Sequence, residues 1–242
     1  MWRAAPTAID FTAEPLAEDS LRWQPVRNPA DLRDTVGRVA EADEADVQAA
    51  LRAATHAAPI WQSTPVSERA ACLRRAAQAL EGQMQLLLGF IVRESGKSLP
   101  NAIAEVREAV DFLRYYAQAI ERDFSNDSHR PLGPVVCISP WNFPLAIFIG
   151  QVAAALAAGN VVLAKPAEQT PLIAAQAIDL LHAAGVPLDA VQLLPVRGET
   201  VGATLTSDSR VRGVMFTGST DVAKLIARTL SLIHISEPTR PY

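Results

Sequence analysis

Residues 133–171 read GPVVCISPWNFPLAIFIGQVAAALAAGNVVLAKPAEQTP, and their pattern decides the fold. Residues 133–139 form a continuous apolar run rich in Val and Ile, the mark of a strand covered on both faces. Residues 144–158 then read as a helix stopped by Gly159, and residues 161–165 as a second buried strand. Thr170 with Pro171 opens another helix, which Gly185 ends. The alternation continues with a strand over 191–194, a short helix over 198–206, a strand over 211–216 and a helix over 219–230. Strand and helix in turn, with uninterrupted apolar strands, predict the α/β class: a Rossmann-like parallel sheet with right-handed crossovers. Ligands of such sheets bind beyond the carboxyl ends of the strands, so the residues after each strand are those to read for chemistry.

Upstream of this region the pattern is helical. Residues 1–28 are rich in Pro and predicted irregular, because Pro6, Pro15, Pro25 and Pro29 discourage a continuing helix. Asp43 is the expected N-cap of a first helix, Thr64-Pro65 opens a second, and Gly82 and Gly96 punctuate the next. The best amphipathic helix is predicted over 100–123, with Ile103, Val106, Val110, Leu113 and Ile120 on its apolar face. Glu105, Arg107, Glu108, Asp111 and Arg114 then form an opposite, solvated face. The expected division is a helical part over 1–130 and a ligand-binding part over 131–230.

Composition narrows the classes. The chain has 242 residues, 49% of them hydrophobic, enough for a sizeable core. A formal charge of −4 with no basic stripe argues against nucleic acid as a partner. The N-terminus lacks a signal-peptide pattern, and the most apolar stretch, 144–159, is short for a bilayer and interrupted by Gln151. Two cysteines, Cys72 and Cys137, make no disulfide framework and lack zinc-site spacing. A soluble, cytoplasmic chain without membrane contact is the expectation.

The strand ends hold the candidate residues. After the first strand, Pro140 and Pro144 stiffen the turn that carries Trp141 and Asn142. A rigid amide there can donate to an oxyanion, an effect worth roughly 3–4 kcal/mol in acyl chemistry. Asn142 also reads as the cap of the following helix. After the second strand come Lys165 and Glu168. A carboxylate at this edge can accept both hydroxyls of an adenine ribose and would repel a 2′-phosphate, favouring NAD over NADP. The same two residues also read as a surface ion pair. Gly198, Gly202 and Phe216-Thr217-Gly218-Ser219 follow the later strands. Glycine in such turns lets a ligand approach the backbone, and serine at a helix N-terminus can hold a phosphate oxygen, although each glycine also reads as a turn residue. No G-x-G-x-x-G is present. Both cysteines fall in predicted packed positions, and His56, His129 and His182 lack ligand spacing, so no metal is expected. Gly96-Lys97-Ser98 lacks the preceding strand and earlier glycine of a phosphate loop.

Three motifs in this order, ISPWNFP (138–144), AAGNVVLAKPAEQTP (157–171) and FTGST (216–220), resemble the aldehyde dehydrogenase superfamily over roughly residues 26–230. PVRNPADLRDTVGRV (25–39), NAIAEVREAVDFLRYYA (101–117) and the stretch 129–160 are most similar to the 1-pyrroline-5-carboxylate (L-glutamate γ-semialdehyde) dehydrogenase modules of bifunctional proline-utilization proteins. The resemblance implies NAD-dependent oxidation of that semialdehyde to glutamate by cysteine attack, hydride transfer and glutamate-assisted hydrolysis. It implies that Asn142 donates to the oxyanion and that Lys165 and Glu168 hold the adenine ribose. Ile138, Ser139, Pro140 and Trp141 would line the cofactor groove, with Gly198, Gly202, Phe216, Gly218, Ser219 and Val222 about the adenine and diphosphate. It further implies a small aldehyde substrate and an oligomeric parent fused to a proline dehydrogenase domain. The family's nucleophilic cysteine and general-base glutamate come after the FTGST motif. Residues 231–242, SLIHISEPTRPY, do not resemble the continuation of that motif in relatives, so a foreign or frame-shifted tail on a truncated, inactive chain is expected. A dehydrogenase of another aldehyde and a non-catalytic NAD-binding or interaction module stay open as alternatives.

Overall fold

A computed structural model describes residues 23–195 and 202–233. Trp23–Asn28 (β1) and Asp31–Ala40 (β2) pair antiparallel, with Trp23 opposite Ala40 and Asn28 opposite Asp31. This corrects the expectation of irregular chain as far as residue 28. A two-stranded ribbon leaves outward-facing amides on both strands, and proline at such an edge sacrifices no ladder bond. The Asn28 side chain closes the turn by accepting from the Ala30 amide at 2.9 Å.

Glu44–Ser63 (α1) begins at Asp43 as expected, through a reciprocal capping box. The Asp46 amide donates to Asp43 Oδ1, and the Asp43 amide to Asp46 Oδ2, both at 3.0 Å. Val66–Gly82 (α2), Met84–Ser95 (α3) and Leu99–Asp123 (α4) complete the helical part. Gly96 ends α3 with φ +69°, a left-handed cap that suits glycine. On α4, Val106, Val110, Leu113 and Ile120 are buried, whereas Arg107, Glu108, Asp111 and Arg114 are exposed. Glu105 departs from the predicted solvated face: it is 1% exposed.

The remainder alternates as the pattern predicts: Pro134–Ile138 (β3), Ala146–Ala157 (α5), Val161–Lys165 (β4), Pro171–Ala183 (α6), Val191–Leu193 (β5), Ala203–Ser207 (α7), Gly213–Phe216 (β6) and Thr220–Ile233 (α8). The four strands are parallel, in the order β5-β4-β3-β6. Strand order therefore reverses at β3, whose successors β4 and β5 build outward on one side while β6 joins the other. Ile138 is in register with both Lys165 and Phe216, so three strands end level. One apolar core runs through helices and sheet, from Val47 and Leu51 through Leu73 and Leu113 to Val136, Phe148 and Leu163.

α5 and α6 carry no side-chain cap of their own. Buried carboxylates of the helical part supply it instead. Glu105 Oε2 accepts from the Leu145 and Ala146 amides at 3.1 and 3.0 Å. Glu94 accepts from the Leu172 and Ile173 amides at 2.7 and 2.9 Å. Burial nevertheless pushes the Glu94 carboxyl up to about 8. No helix among the described residues is long and apolar enough to cross a membrane.

Candidate cofactor groove

The turns leaving β3, β4 and β6 are tied to one another beyond the last strand residues. The Ser139 amide donates to the Lys165 carbonyl at 3.3 Å, and the Thr217 amide to the Ile138 carbonyl at 3.0 Å. These bonds hold the walls of a groove of about 530 Å³, within the usual size range for small-molecule and cofactor sites. Ile138, Ser139, Pro140, Trp141 and Asn142 form one wall, and Phe216, Gly218, Ser219 and Val222 the facing one. The groove opens where strand order reverses, the position at which open α/β sheets bind ligands.

Phe143, Ile147, Ala167 and Thr217 line the same groove and had no role assigned from sequence. Phe143, Ala167 and Thr217 lie inside the turns after the strands, so only their direction was missing. Ile147 on α5 carries no chemical signal that would have found it. Gln151 is another omission. Its Nε2 donates to Thr217 Oγ1 from behind the groove wall, and its sequence signal is a lone amide in an apolar stretch.

Asn142 is exposed and does not cap α5; Leu145 occupies the N-cap position, and Glu105 binds the helix amides. The capping reading of Asn142 is therefore overturned, because a carboxylate from α4 has taken that role. Lys165 is not a surface residue. It is 7% exposed, donates to the Pro166 carbonyl at 3.3 Å, and burial pulls its ammonium below the usual lysine range while Glu168 pushes it back up. Glu168 is exposed in a small hollow with Glu41, Pro166, Ala167 and Pro195. Ala167 borders both this hollow and the larger groove, whereas Lys165 and Glu168 are not among the groove's lining residues.

Gly202 lies at the start of α7, where its carbonyl accepts from Thr206 Oγ1 at 3.2 Å, and is not among the groove's lining residues. Gly198 and residues 234–242 of the expected tail lie outside the described residues. α8 begins beside the groove, where Ser219 and Val222 are both in its lining and Ser219 Oγ accepts from the Val222 amide at 3.3 Å. A Cβ on Gly218 would come within 2.5 Å of the Phe216 ring, so the wall is closed to a larger residue there.

These surroundings fit a dinucleotide: a carboxylate in the neighbouring hollow for ribose hydroxyls, a helix N-terminus for phosphate, and apolar walls with exposed Trp141 and Phe143. Neither cysteine is a nucleophile. Cys72 and Cys137 are 2% and 1% exposed, and burial pushes the Cys137 thiol up to about 12. No group of three His, Cys, Asp or Glu that could hold a metal occurs among the described residues.

Comparison with known proteins gives a consistent picture. The aldehyde dehydrogenase family profile matches residues 16–236. The bifunctional protein PutA of Klebsiella aerogenes is 64% identical over 230 residues, spanning 95% of this chain and 17% of PutA. The 1-pyrroline-5-carboxylate dehydrogenase of Bacillus cereus (strain B4264) is 37% identical over 207 residues, 81% of this chain and 40% of that protein. Among solved structures, 1-pyrroline-5-carboxylate dehydrogenase from Thermus with bound NAD matches with a TM-score of 0.85 at 35% identity, over 90% of this chain and 45% of that one. The chain thus spans less than half the length of each of these relatives. Parallel sheet, strand-end groove and matched span agree: the chain belongs to the aldehyde dehydrogenase family.

Proposed function

We propose that residues 131–230 are the NAD-binding part, and residues 1–130 the helical part, of a cytoplasmic enzyme of proline catabolism that oxidises L-glutamate γ-semialdehyde to L-glutamate. The observation that carries this reading is the meeting of three level strand-end turns in one groove, with Asn142 in its lining and Glu168 in the hollow that shares Ala167 with it. The names of the PutA and 1-pyrroline-5-carboxylate dehydrogenase relatives supply the substrate. The bifunctional relatives supply the expectation of a fused proline dehydrogenase domain and an oligomeric whole protein.

In this reading Glu168 accepts from the adenine ribose hydroxyls and Lys165 supports the same turn from beneath. Ser219 and the start of α8 hold the diphosphate, while Ile138, Pro140 and Trp141 line the path between. NAD, when bound, supplies the electron acceptor. Asn142 donates its amide to the oxygen that gains charge when the aldehyde carbon is attacked. With both thiols of this segment buried, the attacking group comes from elsewhere in the whole enzyme.

Two measurements test the proposal. The chain is expected to bind NAD+ more tightly than NADP+ in calorimetric titration, with Glu168→Gln narrowing the difference. A chimera carrying residues 23–233 in place of the matching segment of K. aerogenes PutA is expected to form NADH from 1-pyrroline-5-carboxylate. Failure to bind either nucleotide, or a folded chimera without activity, overturns the reading.

A further inference from the structure

The turn that carries Asn142 is gripped from outside the sheet. Lys97 and Glu105 form an ion pair in which the Glu105 side chain is 1% exposed and that of Lys97 16%. The two residues stand on either side of the first turns of α4, so their pairing joins no two elements by itself. Their contacts beyond that segment fall on residues 143–146. The Lys97 ammonium lies 4.0 Å from the centroid of the Phe143 ring, and the second Glu105 oxygen takes the Leu145 and Ala146 amides. Phe143 follows Asn142 directly, lines the groove, and is followed in turn by Pro144.

We infer that Lys97 and Glu105 are positioning residues for Asn142 and Trp141, acting through the Phe143 ring and the start of α5; the inference rests on the cofactor reading above. The physical argument is one of anchorage. At its upstream end the turn is fixed by the Ser139 amide on the Lys165 carbonyl. Pro140 and Pro144 restrict its backbone but attach it to nothing. At its downstream end Pro144, Leu145 and Ala146 are buried, and the polar and ring contacts there are the helix amides on Glu105 and the Phe143 ring beside the Lys97 ammonium. The Lys97 ammonium is shared between the buried Glu105 carboxylate and the Phe143 ring, which it holds by cation–π attraction. Loss of either partner frees the rim on which Asn142 and Trp141 stand, while the helices behind it stay packed.

The test uses the chain labelled with 5-fluorotryptophan, whose 19F resonances for Trp141 and Trp61 are assigned with Trp141→Phe and Trp61→Phe. Trp61 is the internal control, since its Nε1 donates to the Leu156 carbonyl at 3.0 Å, away from the turn. In Lys97→Met and Glu105→Gln the Trp141 resonance is expected to shift or split while that of Trp61 stays in place. NAD+ affinity is expected to fall about three- to tenfold in both, and Lys97→Arg, which keeps a cation on the ring, to stay within about twofold of wild type. A Trp141 resonance unchanged in folded Lys97→Met, or Trp61 and Trp141 moving together, overturns the inference. If the unaltered chain binds no NAD+, the cofactor reading fails, and the two resonances still decide whether the clamp orders the turn.

Discussion

Gln151 Nε2 donates to Thr217 Oγ1 across 2.9 Å, so the helix leaving one wall of the groove holds the turn that forms the other. Gln151 is 8% exposed and its Oε1 has no partner among the described residues, which makes this bond the side chain's one polar attachment there. Thr217→Val removes the acceptor and strands a buried amide. The expected cost is about 1–3 kcal/mol, seen as a lower urea midpoint at unchanged slope, with Thr217→Ser recovering most of it. An unaltered midpoint in the valine variant would show that the bond carries no weight.

Asn142 separates chemistry from stability. Its side chain is exposed and α5 is capped by Glu105, so Asn142→Ala is expected to change unfolding stability by less than about 0.5 kcal/mol. In the active chimera the same substitution is expected to lower kcat about 10²- to 10³-fold. Thermal unfolding and NADH formation measure the two halves of this prediction.

Gly218 tests the shape of the groove. An added methyl would meet Phe216 Cζ at 2.5 Å, and the ring's way out leads into the space assigned to the nucleotide. Gly218→Ala is expected to weaken NAD+ binding about tenfold by calorimetry, in line with the usual cost of overpacking. Gly82→Ala, where an added Cβ meets nothing within 4 Å, is the control expected to bind as the unaltered chain does.

Glu94 makes stability depend on pH. Its carboxyl has an ordinary value of 4.5 in the unfolded chain and is pushed by burial up to about 8 in the folded one. Between these values the folded state holds one more proton at this site than the unfolded state, so the contribution of Glu94 to stability is full below 4.5 and is lost as pH rises towards 8. Glu94→Gln cannot ionise and is expected to flatten this decline. Urea midpoints taken from about pH 5 to 8 check it, and parallel slopes in the two proteins would refute the assignment.

Much of the architecture was legible because hydrophobic periodicity is a local property. The uninterrupted run Val135-Val136-Cys137-Ile138 can be satisfied only by cover on both faces, and β3 lies inside the sheet as that demands. The turns at Ser139–Asn142 and Phe216–Ser219 were found for a related reason: a parallel sheet sends its strand ends to one edge, so the residues following them meet without further information. The ribbon of Trp23–Asn28 and Asp31–Ala40 was missed because Pro25 and Pro29 speak against helix and central strand alike, and say nothing against an edge.

By itself, then, the order of residues determined which segments from residue 133 onward are strands and helices, that those strands lie parallel, and which turns border the groove. Only the tertiary structure decided what each polar side chain does. Glu105 on its helix has the pattern of a solvated residue, yet the bare N-terminus of α5 arrives beside it and takes both amides to one oxygen. Lys165 has the look of a surface charge, yet lies buried under the turn that carries Glu168. Periodicity is set by neighbours three or four positions away, whereas the partner of a buried charge is set by whichever helix end or carbonyl the completed packing brings to it, here across some forty residues of chain between Glu105 and Leu145.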